Sequence, residues 1–97
     1  MMPAYVIADV KVSDAERYEG YKALSPAAIA AAGGEFVVRG GQSAVLEGDW
    51  QPGRLVILRF PDFAAARSFY DSTLYSQARA ARSGATEKFN MVVVEGI

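Results

Sequence analysis

Apolar residues cluster in four short runs along the chain, and segments that favour helices or turns separate these runs. The runs cover Ala4–Val12, Glu35–Arg39, Arg54–Phe60 and residues 89–95. They are rich in Val, Ile and Phe, which fit the pleated surface of a sheet. The pattern therefore predicts four β-strands.

The segment after the first strand predicts a helix in two pieces. Residues 13–16 read Ser-Asp-Ala-Glu, which fits a capping box with Ser13 as the N-cap. Apolar side chains recur at helical spacing over residues 18–24. Pro26 lacks an amide N–H, so we expect it to interrupt the helix and to open a second piece. That piece should end at Gly33.

The second half of the chain repeats this plan. Asp62 is a candidate N-cap, apolar residues recur at helical spacing over 63–70, and Asp71-Ser72 can restart the helix before a stop at Ser83-Gly84. The element order is βαββαβ. It predicts an α+β protein of the ferredoxin-like class, with a four-stranded antiparallel sheet and its helices on one face. Another small α+β sandwich is the alternative.

Two glycine pairs bracket the second strand, in the segment GGEFVVRGG at residues 33–41. Glycine readily adopts the left-handed conformation that ends a helix, so the first pair marks a helix stop. The second pair favours a bend or bulge. We expect the strand to resume over 44–47, before a turn over 48–53 that is rich in Gly, Pro and Asp.

The third and fourth strands are apolar on both faces. In the third, Leu55 and Ile57 alternate with Val56, Leu58 and Phe60. Helices can cover one face of the sheet, and soluble monomers rarely expose a large apolar patch on the other. The pattern therefore predicts a homodimer through sheet-to-sheet packing. Ordinary surface hydrophobic residues are the alternative explanation.

Composition removes several classes of function. The 97 residues include no His and no Cys, which excludes disulfides, the common zinc sites and a histidine base. We therefore expect no metal and no cofactor. The length of the chain predicts one domain over residues 1–97. Ten basic residues face 11 acidic ones without a basic stripe, so nucleic-acid binding is not expected. The apolar runs are too short for a membrane span, and the N-terminus predicts a cytoplasmic protein.

Asp9, Arg39 and Arg59 are charged residues within apolar strands. A buried charge is costly unless it is paired, so Arg39 or Arg59 is the expected partner of Asp9. This arrangement is either a structural ion pair or an anion-recognition arginine beside a carboxylate. Arginine suits the second role because its planar fork binds carboxylates at two points.

The aromatic residues leave similar alternatives open. Tyr18, Tyr21, Tyr70 and Tyr75 have the spacing of core-packed helix residues, although a phenol can also line a ligand pocket. Trp50 lies in a turn, where it either staples the hairpin or covers a pocket mouth or a dimer partner. Arg82, at a predicted helix end, would only stabilise that end.

Motifs over nearly the whole chain match one known family. They are Tyr5 with Asp9, the helix start at 13–21, GGEFVVRGG, LEGDW, FPDF, FYDS with Tyr75, Arg82 and the closing VVVEG. Together they resemble the family known as domain of unknown function 1330, in the dimeric α+β barrel superfamily. The resemblance implies a ferredoxin-like protomer and a dimer whose sheets form a barrel. It implies no activity, because the superfamily includes monooxygenases, isomerases, heme-degrading enzymes and stress-response proteins.

Three hypotheses for function remain at this level. The first is a cofactor-free enzyme acting on a small acidic or aromatic metabolite. Its pocket would lie between sheet and helices, with Asp9 as the candidate catalytic base and Arg39 holding a carboxylate or enolate. Trp50, Tyr70 and Tyr5 are the further ligand-binding candidates. The second is a non-catalytic ligand-binding or stress-response dimer, and the third is a purely structural dimer.

Overall fold

The computed structural model describes residues 2–97 of the chain. The regular elements are β1 (Ala4–Val12), α1 (Ala15–Ala31), β2 (Glu35–Arg39), β3 (Arg54–Phe60), α2 (Phe63–Asp71), α3 (Thr73–Ala81) and β4 (Thr86–Glu95). The strands form one sheet in the order β2-β3-β1-β4, and every neighbouring pair is antiparallel. This is the ferredoxin-like α+β fold that the sequence predicts. Among the described residues, no helix has both the length and the apolar character to cross a bilayer.

The hydrophobic core lies between the helices and one face of the sheet, which we call the helix face. On β1 this face carries Ala4, Val6, Ala8 and Val10, each less than 5% exposed. The helices contribute a set of buried aromatic and aliphatic side chains, namely Tyr18, Tyr21, Ile29, Phe69 and Tyr75. Burial of one such side chain contributes about 1.5–3 kcal/mol, so this layer accounts for much of the fold's stability.

Helix α1 begins one residue later than the capping box predicts. Asp14, not Ser13, is the N-cap, and its Oδ1 accepts a hydrogen bond of 3.1 Å from the backbone N–H of Arg17. The N–H groups of both Ser13 and Asp14 donate to the carbonyl of Ala85, at 2.9 and 3.1 Å. The carboxylate of Asp14, not the hydroxyl of Ser13, accepts from the first turn of the helix.

The predicted interruption at Pro26 is also wrong, because α1 continues through it to Ala31. Proline within a helix removes one backbone hydrogen bond and costs about 3 kcal/mol. The residues on either side are packed against the rest of the protein: Ser25 is 6% exposed and Ala28 is 1% exposed. Tertiary packing therefore outweighs the local preference of proline to break the helix.

The glycine pairs behave largely as predicted. Gly33 has a φ of +79° just after α1, and the N–H of Gly34 donates to the carbonyl of Ile29 at 2.9 Å. Gly40 has a φ of +69° and ends β2. The predicted strand over 44–47 is absent, since residues 41–50 are all exposed and carry no regular secondary structure. Strand β3, the neighbour of β2, begins only at Arg54, next to the end of β2, and does not extend beside them.

Two features of the sheet were not predicted. Strand β4 begins at Thr86, three residues before the predicted start at residue 89, because Thr86 pairs with Val12 across a register shift. A second irregularity lies in β2 between Phe36 and Val38, where the pairing with β3 skips Val37. This bulge reverses the alternation of side chains that follows it, so Arg39 lies on the same face as Phe36.

Candidate functional site

The face of the sheet away from the helices, which we call the open face, is largely apolar. It carries Tyr5, Ile7 and Asp9 of β1, Leu55 and Ile57 of β3, and Val92 and Val94 of β4, which lie side by side in the register of the strands. Val92 is 57% exposed and Val94 is 47% exposed. The described helices leave this face uncovered.

Asp9 is the buried polar centre at one end of this face. It is 5% exposed. Its Oδ2 accepts a hydrogen bond of 2.9 Å from the indole Nε1 of Trp50, and its Oδ1 accepts one of 2.8 Å from the backbone N–H of Gly53. The ammonium of Lys88 lies 3.1 Å from Oδ2. These three donors meet the needs of a buried carboxylate.

The same contacts set the charge state of Asp9. The hydrogen bond from the Trp50 indole holds the pKa of the Asp9 carboxyl below its ordinary value, helped by the N–H of Gly53 and by Lys88. Burial alone acts in the opposite direction, because it disfavours the charged form. Asp9 is therefore an ionised anchor at neutral pH, and its lowered pKa makes the carboxylate a weak base.

The expected pairing of Asp9 with Arg39 or Arg59 is not found. Arg59 lies 3.6 Å from the carboxylate of Glu35, across the β2–β3 pair. Arg39 lies on the helix face, where its guanidinium stacks 4.2 Å from the centre of the Phe36 ring. The reason is the bulge in β2, which moves Arg39 to the opposite side of the sheet from Asp9. Asp9 and Arg39 do not form one site.

The candidate ligand-binding residues are therefore divided among three places. Asp9, Trp50 and Tyr5 lie on or against the open face, and Tyr5 pairs in register with Arg59 and Val94. Tyr70 lies on α2 and is 39% exposed. Arg39 borders a narrow crevice of about 30 Å³ between α1 and the sheet. That volume is close to the space one water molecule occupies.

A larger groove lies between the edge strand β4 and helices α2 and α3, and we call it the β4 groove. Its volume is about 580 Å³, which is within the usual range of small-molecule sites. Its floor is apolar and includes Phe69, Phe89 and Met91, whereas Arg67, Tyr70, Asp71, Arg82 and Asn90 supply polar atoms. The groove thus joins aromatic surface to positive charge.

Arg82 is the unusual residue of this groove. Its guanidinium stacks 3.7 Å from the centre of the Phe89 ring and 5.4 Å from that of Tyr21. Its Nε atom is buried without a hydrogen-bond partner. Within residues 2–97, no carboxylate forms an ion pair with Arg82. A guanidinium held by rings, with donors left over, is suited to bind an anion.

Arg79 repeats this arrangement one turn earlier on α3. Its guanidinium lies 4.5 Å from the centre of the Tyr70 ring, and its Nε is also buried without a partner. Tyr70, which lines the β4 groove, is therefore packed between the groove and a second cation. Tyr70 was a candidate ligand-binding tyrosine, and the structure places it in the lining of the β4 groove, which has a volume of about 580 Å³.

The other helix tyrosines belong to the core. The hydroxyls of Tyr21 and Tyr75 form a buried hydrogen bond of 2.7 Å, and the two rings meet edge to face. Burial raises the pKa of the Tyr21 phenol far above its ordinary value, and the neighbouring Tyr75 adds to this. Burial also raises the pKa of Tyr18. These phenols stay neutral and act as packing groups, which confirms the core-packing alternative for them.

Sequence reasoning missed Arg82 as a residue that lines the β4 groove and Lys88 as the partner of Asp9. Arg82 was explained by its position at the end of a helix, where it is indeed the C-cap residue. The available signal was Phe89, an aromatic residue that follows Arg82 in the chain and opens the apolar run of β4. Whether the guanidinium of Arg82 would stack on the rings of Phe89 and Tyr21 depended on how the chain returns from α3 to the sheet.

Comparison with known proteins agrees with the architecture. A family model described as "Domain of unknown function (DUF1330)" matches residues 3–97. No curated protein matches the chain.

Solved structures are similar in fold at low sequence identity. A protein of unknown function from Rhodopseudomonas palustris is 21% identical, with a TM-score of 0.78 over 99% of this chain and 83% of that one. SnoaB, a cofactor-independent oxygenase from Streptomyces nogalater, is 14% identical, with a TM-score of 0.64 over 97% of this chain and 92% of that one. A dimeric ferredoxin-like protein of unknown function from Thermobifida fusca is 17% identical, with a TM-score of 0.61 over 97% and 91%. At these identities the similarity establishes the fold alone.

Proposed function

This chain belongs to the DUF1330 family, and we propose that it is a homodimer that binds a small acidic, aromatic metabolite in the β4 groove without a cofactor. The observation that carries the ligand class is Arg82, a guanidinium that lines the groove, stacks on Phe89 and pairs with no carboxylate among residues 2–97. A carboxylate on the ligand would supply that counter-ion. The apolar floor of the groove would receive the ring.

Binding is favoured over acid–base catalysis by the position of the carboxylates. Asp9, the base candidate from the sequence, is occupied by three donors on the open face. In the described part of the chain, the carboxylate that lines the β4 groove is the exposed Asp71. Its side chain lies open to solvent, unlike the desolvated carboxylates of many active sites. The cofactor-independent oxygenase activity of SnoaB therefore stays a property of that protein.

The homodimer is supported by the open face. Val92 and Val94 are about half exposed there, and Ile7, Leu55 and Ile57 lie beside them with partial exposure. A second copy packed sheet to sheet would remove these side chains from water, at roughly 25 cal/mol per Å² of apolar area. The similar protein from Thermobifida fusca is described as dimeric, which supports a dimeric state for this chain. The single domain over 1–97 and the cytoplasmic location stay predictions.

A thermal-shift screen tests the ligand assignment. Benzoate, salicylate and hexanoate are the acidic probes, and benzamide is the neutral control. A ligand at 100 times its Kd stabilises the folded state by about 2.7 kcal/mol. For a domain of this size, each 1 kcal/mol raises Tm by roughly 4–8 °C. We expect an aromatic acid to raise Tm and benzamide to leave it unchanged.

Two arginine variants locate the site. Arg82→Gln should abolish the shift caused by the acid, whereas Arg39→Gln should retain it, because Arg39 borders a different crevice. Circular dichroism and sedimentation establish that each variant is folded and keeps the oligomeric state of the wild type. If Arg82→Gln is folded and binds the acid as the wild type does, or if no acid shifts Tm, the assignment to the β4 groove is wrong.

A further inference from the structure

Residues 41–50 form an exposed segment between β2 and β3, which we call the arm. All ten residues are exposed. Leu46 is 97% exposed, Val45 is 51% exposed and Trp50 is 60% exposed. A Cβ added at Gly41 or Gly48 would find no heavy atom within 4 Å. Three large apolar side chains exposed together on one short loop indicate a surface that meets another molecule.

The arm is nevertheless tied to the sheet at both ends. At its start, the N–H of Gly40 donates to the carbonyl of Leu55 at 2.8 Å. At its end, Asp9 accepts from the indole of Trp50 and from the N–H of Gly53. Gly53 lies so close to the Val10 carbonyl that a side chain would collide with it. These attachments hold the arm's base in place while its apolar residues stay in solvent.

The attachment to Asp9 decides where the indole lies. Asp9 is on the open face, between Leu55 of β3 and Asn90 of β4. The indole N–H is used by Asp9, so the exposed 60% of Trp50 is mainly its apolar ring. Two sheets cannot meet through this face without contact between the partner and Trp50. Tryptophan is also among the residues most enriched at interface hot spots.

We propose that the arm is an interaction surface for a second copy of this chain, with Trp50 and Leu46 packed on the open face of the partner. Asp9 is then a positioning residue, which fixes the indole in the orientation that the partner meets. This inference rests on the proposed homodimer and adds the residues that hold it together. A second copy is the occupant because the arm and the apolar face are neighbours on each protomer. A two-fold axis brings the arm of each protomer onto the open face of its partner, so the same contact forms twice.

The first test uses the wild-type protein, because Trp50 is its single tryptophan. Sedimentation equilibrium over a dilution series gives the dimer Kd, and the emission of Trp50 is recorded on the same samples. We expect the emission to shift to longer wavelength over the concentration range in which the mass halves. An emission spectrum that stays constant while the mass halves would show that Trp50 is not at the interface.

The second test uses Leu46, whose side chain is free of contacts in the protomer. Leu46→Ala should raise the dimer Kd by tenfold or more, the usual effect of removing an anchor side chain. Leu74→Ala is the matched control, since Leu74 is 44% exposed on α3, away from the open face. Its Kd should equal that of the wild type. Trp50→Phe keeps the ring but loses the bond to Asp9, and it should weaken the dimer by an intermediate factor.

The outcomes separate this inference from the proposed dimer itself. A dimeric wild type whose Kd is unchanged by Leu46→Ala and Trp50→Phe would overturn the role of the arm and leave the sheet-to-sheet dimer standing. A wild type that is monomeric at all concentrations would overturn both. Neither result would affect acid binding in the β4 groove, which the arginine variants measure separately.

Discussion

The indole of Trp50 donates a hydrogen bond of 2.9 Å to the carboxylate of Asp9, which is 41 residues earlier in the chain. This bond joins the middle of β1 to the end of an exposed loop. It satisfies one oxygen of a buried carboxylate and keeps an otherwise exposed aromatic ring in one place. The pair therefore contributes to stability and to the shape of the open face together.

Asp9→Asn should lower the free energy of unfolding by about 1–3 kcal/mol, because an amide cannot accept from both donors and leaves Lys88 without its counter-ion. Urea denaturation followed by Trp50 fluorescence measures this change. Asp49→Asn is the control: Asp49 is an exposed carboxylate on the arm, and its variant should lie within about 0.5 kcal/mol of the wild type. Equal stability of the two variants would contradict a stabilising role for Asp9.

The stability that Asp9 contributes should depend on pH in the acid range. Its pKa in the folded protein is below the ordinary value of 3.8, so the unfolded chain binds the proton first as pH falls. The contribution is fully present above about pH 4 and is lost as pH falls through the folded-state pKa. The stability difference between wild type and Asp9→Asn should be constant from pH 7 to pH 5 and smaller at pH 3. Urea titrations at these three values measure it, and a difference that grows at pH 3 would contradict the assigned sign.

The hydroxyl pair in the core gives a double-mutant cycle. Tyr75→Phe leaves the buried Tyr21 hydroxyl without its partner at 2.7 Å, so we expect a loss of about 1–3 kcal/mol. Tyr21→Phe should cost a similar amount. The double variant should cost less than the sum of the two, with a coupling of about 0.5–3 kcal/mol. Additive losses in urea denaturation would show that the bond contributes nothing specific.

The two glycine pairs provide a matched test of close packing. A Cβ at Gly34 would lie 2.5 Å from Cε1 of the fully buried Phe60, so Gly34→Ala should cost about 1–3 kcal/mol. Gly41 has open space around it and no positive φ, so Gly41→Ala should be neutral or raise stability by up to about 1 kcal/mol. Thermal and urea unfolding of the two variants measure both. Equal effects would mean that the Phe60 ring moves aside freely.

Most of the fold was predictable because its signals are local. The glycine pair at Gly33 ends a helix through its own backbone, and the apolar run over Arg54–Phe60 forms the predicted strand. The wrong predictions concern positions whose structure depends on contacts with other parts of the chain. Pro26 stays within α1 because residues distant in sequence pack on both sides of it. Asp14, not Ser13, is the N-cap, because its carboxylate accepts from the N–H of Arg17.

The candidate site was predicted less well, since its residues were assigned to faces by strict alternation. The bulge after Phe36 reversed that alternation and separated Arg39 from Asp9. Lys88 was not considered as a partner for Asp9, although β4 lies next to β1. The stacking of Arg82 on Phe89 could not be predicted, because it depends on how α3 packs over the sheet.

By itself, the sequence determined the order of elements, the βαββαβ topology class and the apolar character of both faces of β3 and β4. These follow from periodicity, turn residues and composition, which act over a few neighbours. Only the tertiary structure decided the partners of each charge. Such pairings join strands and loops that are far apart in sequence, and one bulged residue is enough to move a side chain to the other face. For this reason Arg39 lies on the opposite face from Asp9, while Trp50 bonds to Asp9 and Arg82 stacks on Phe89.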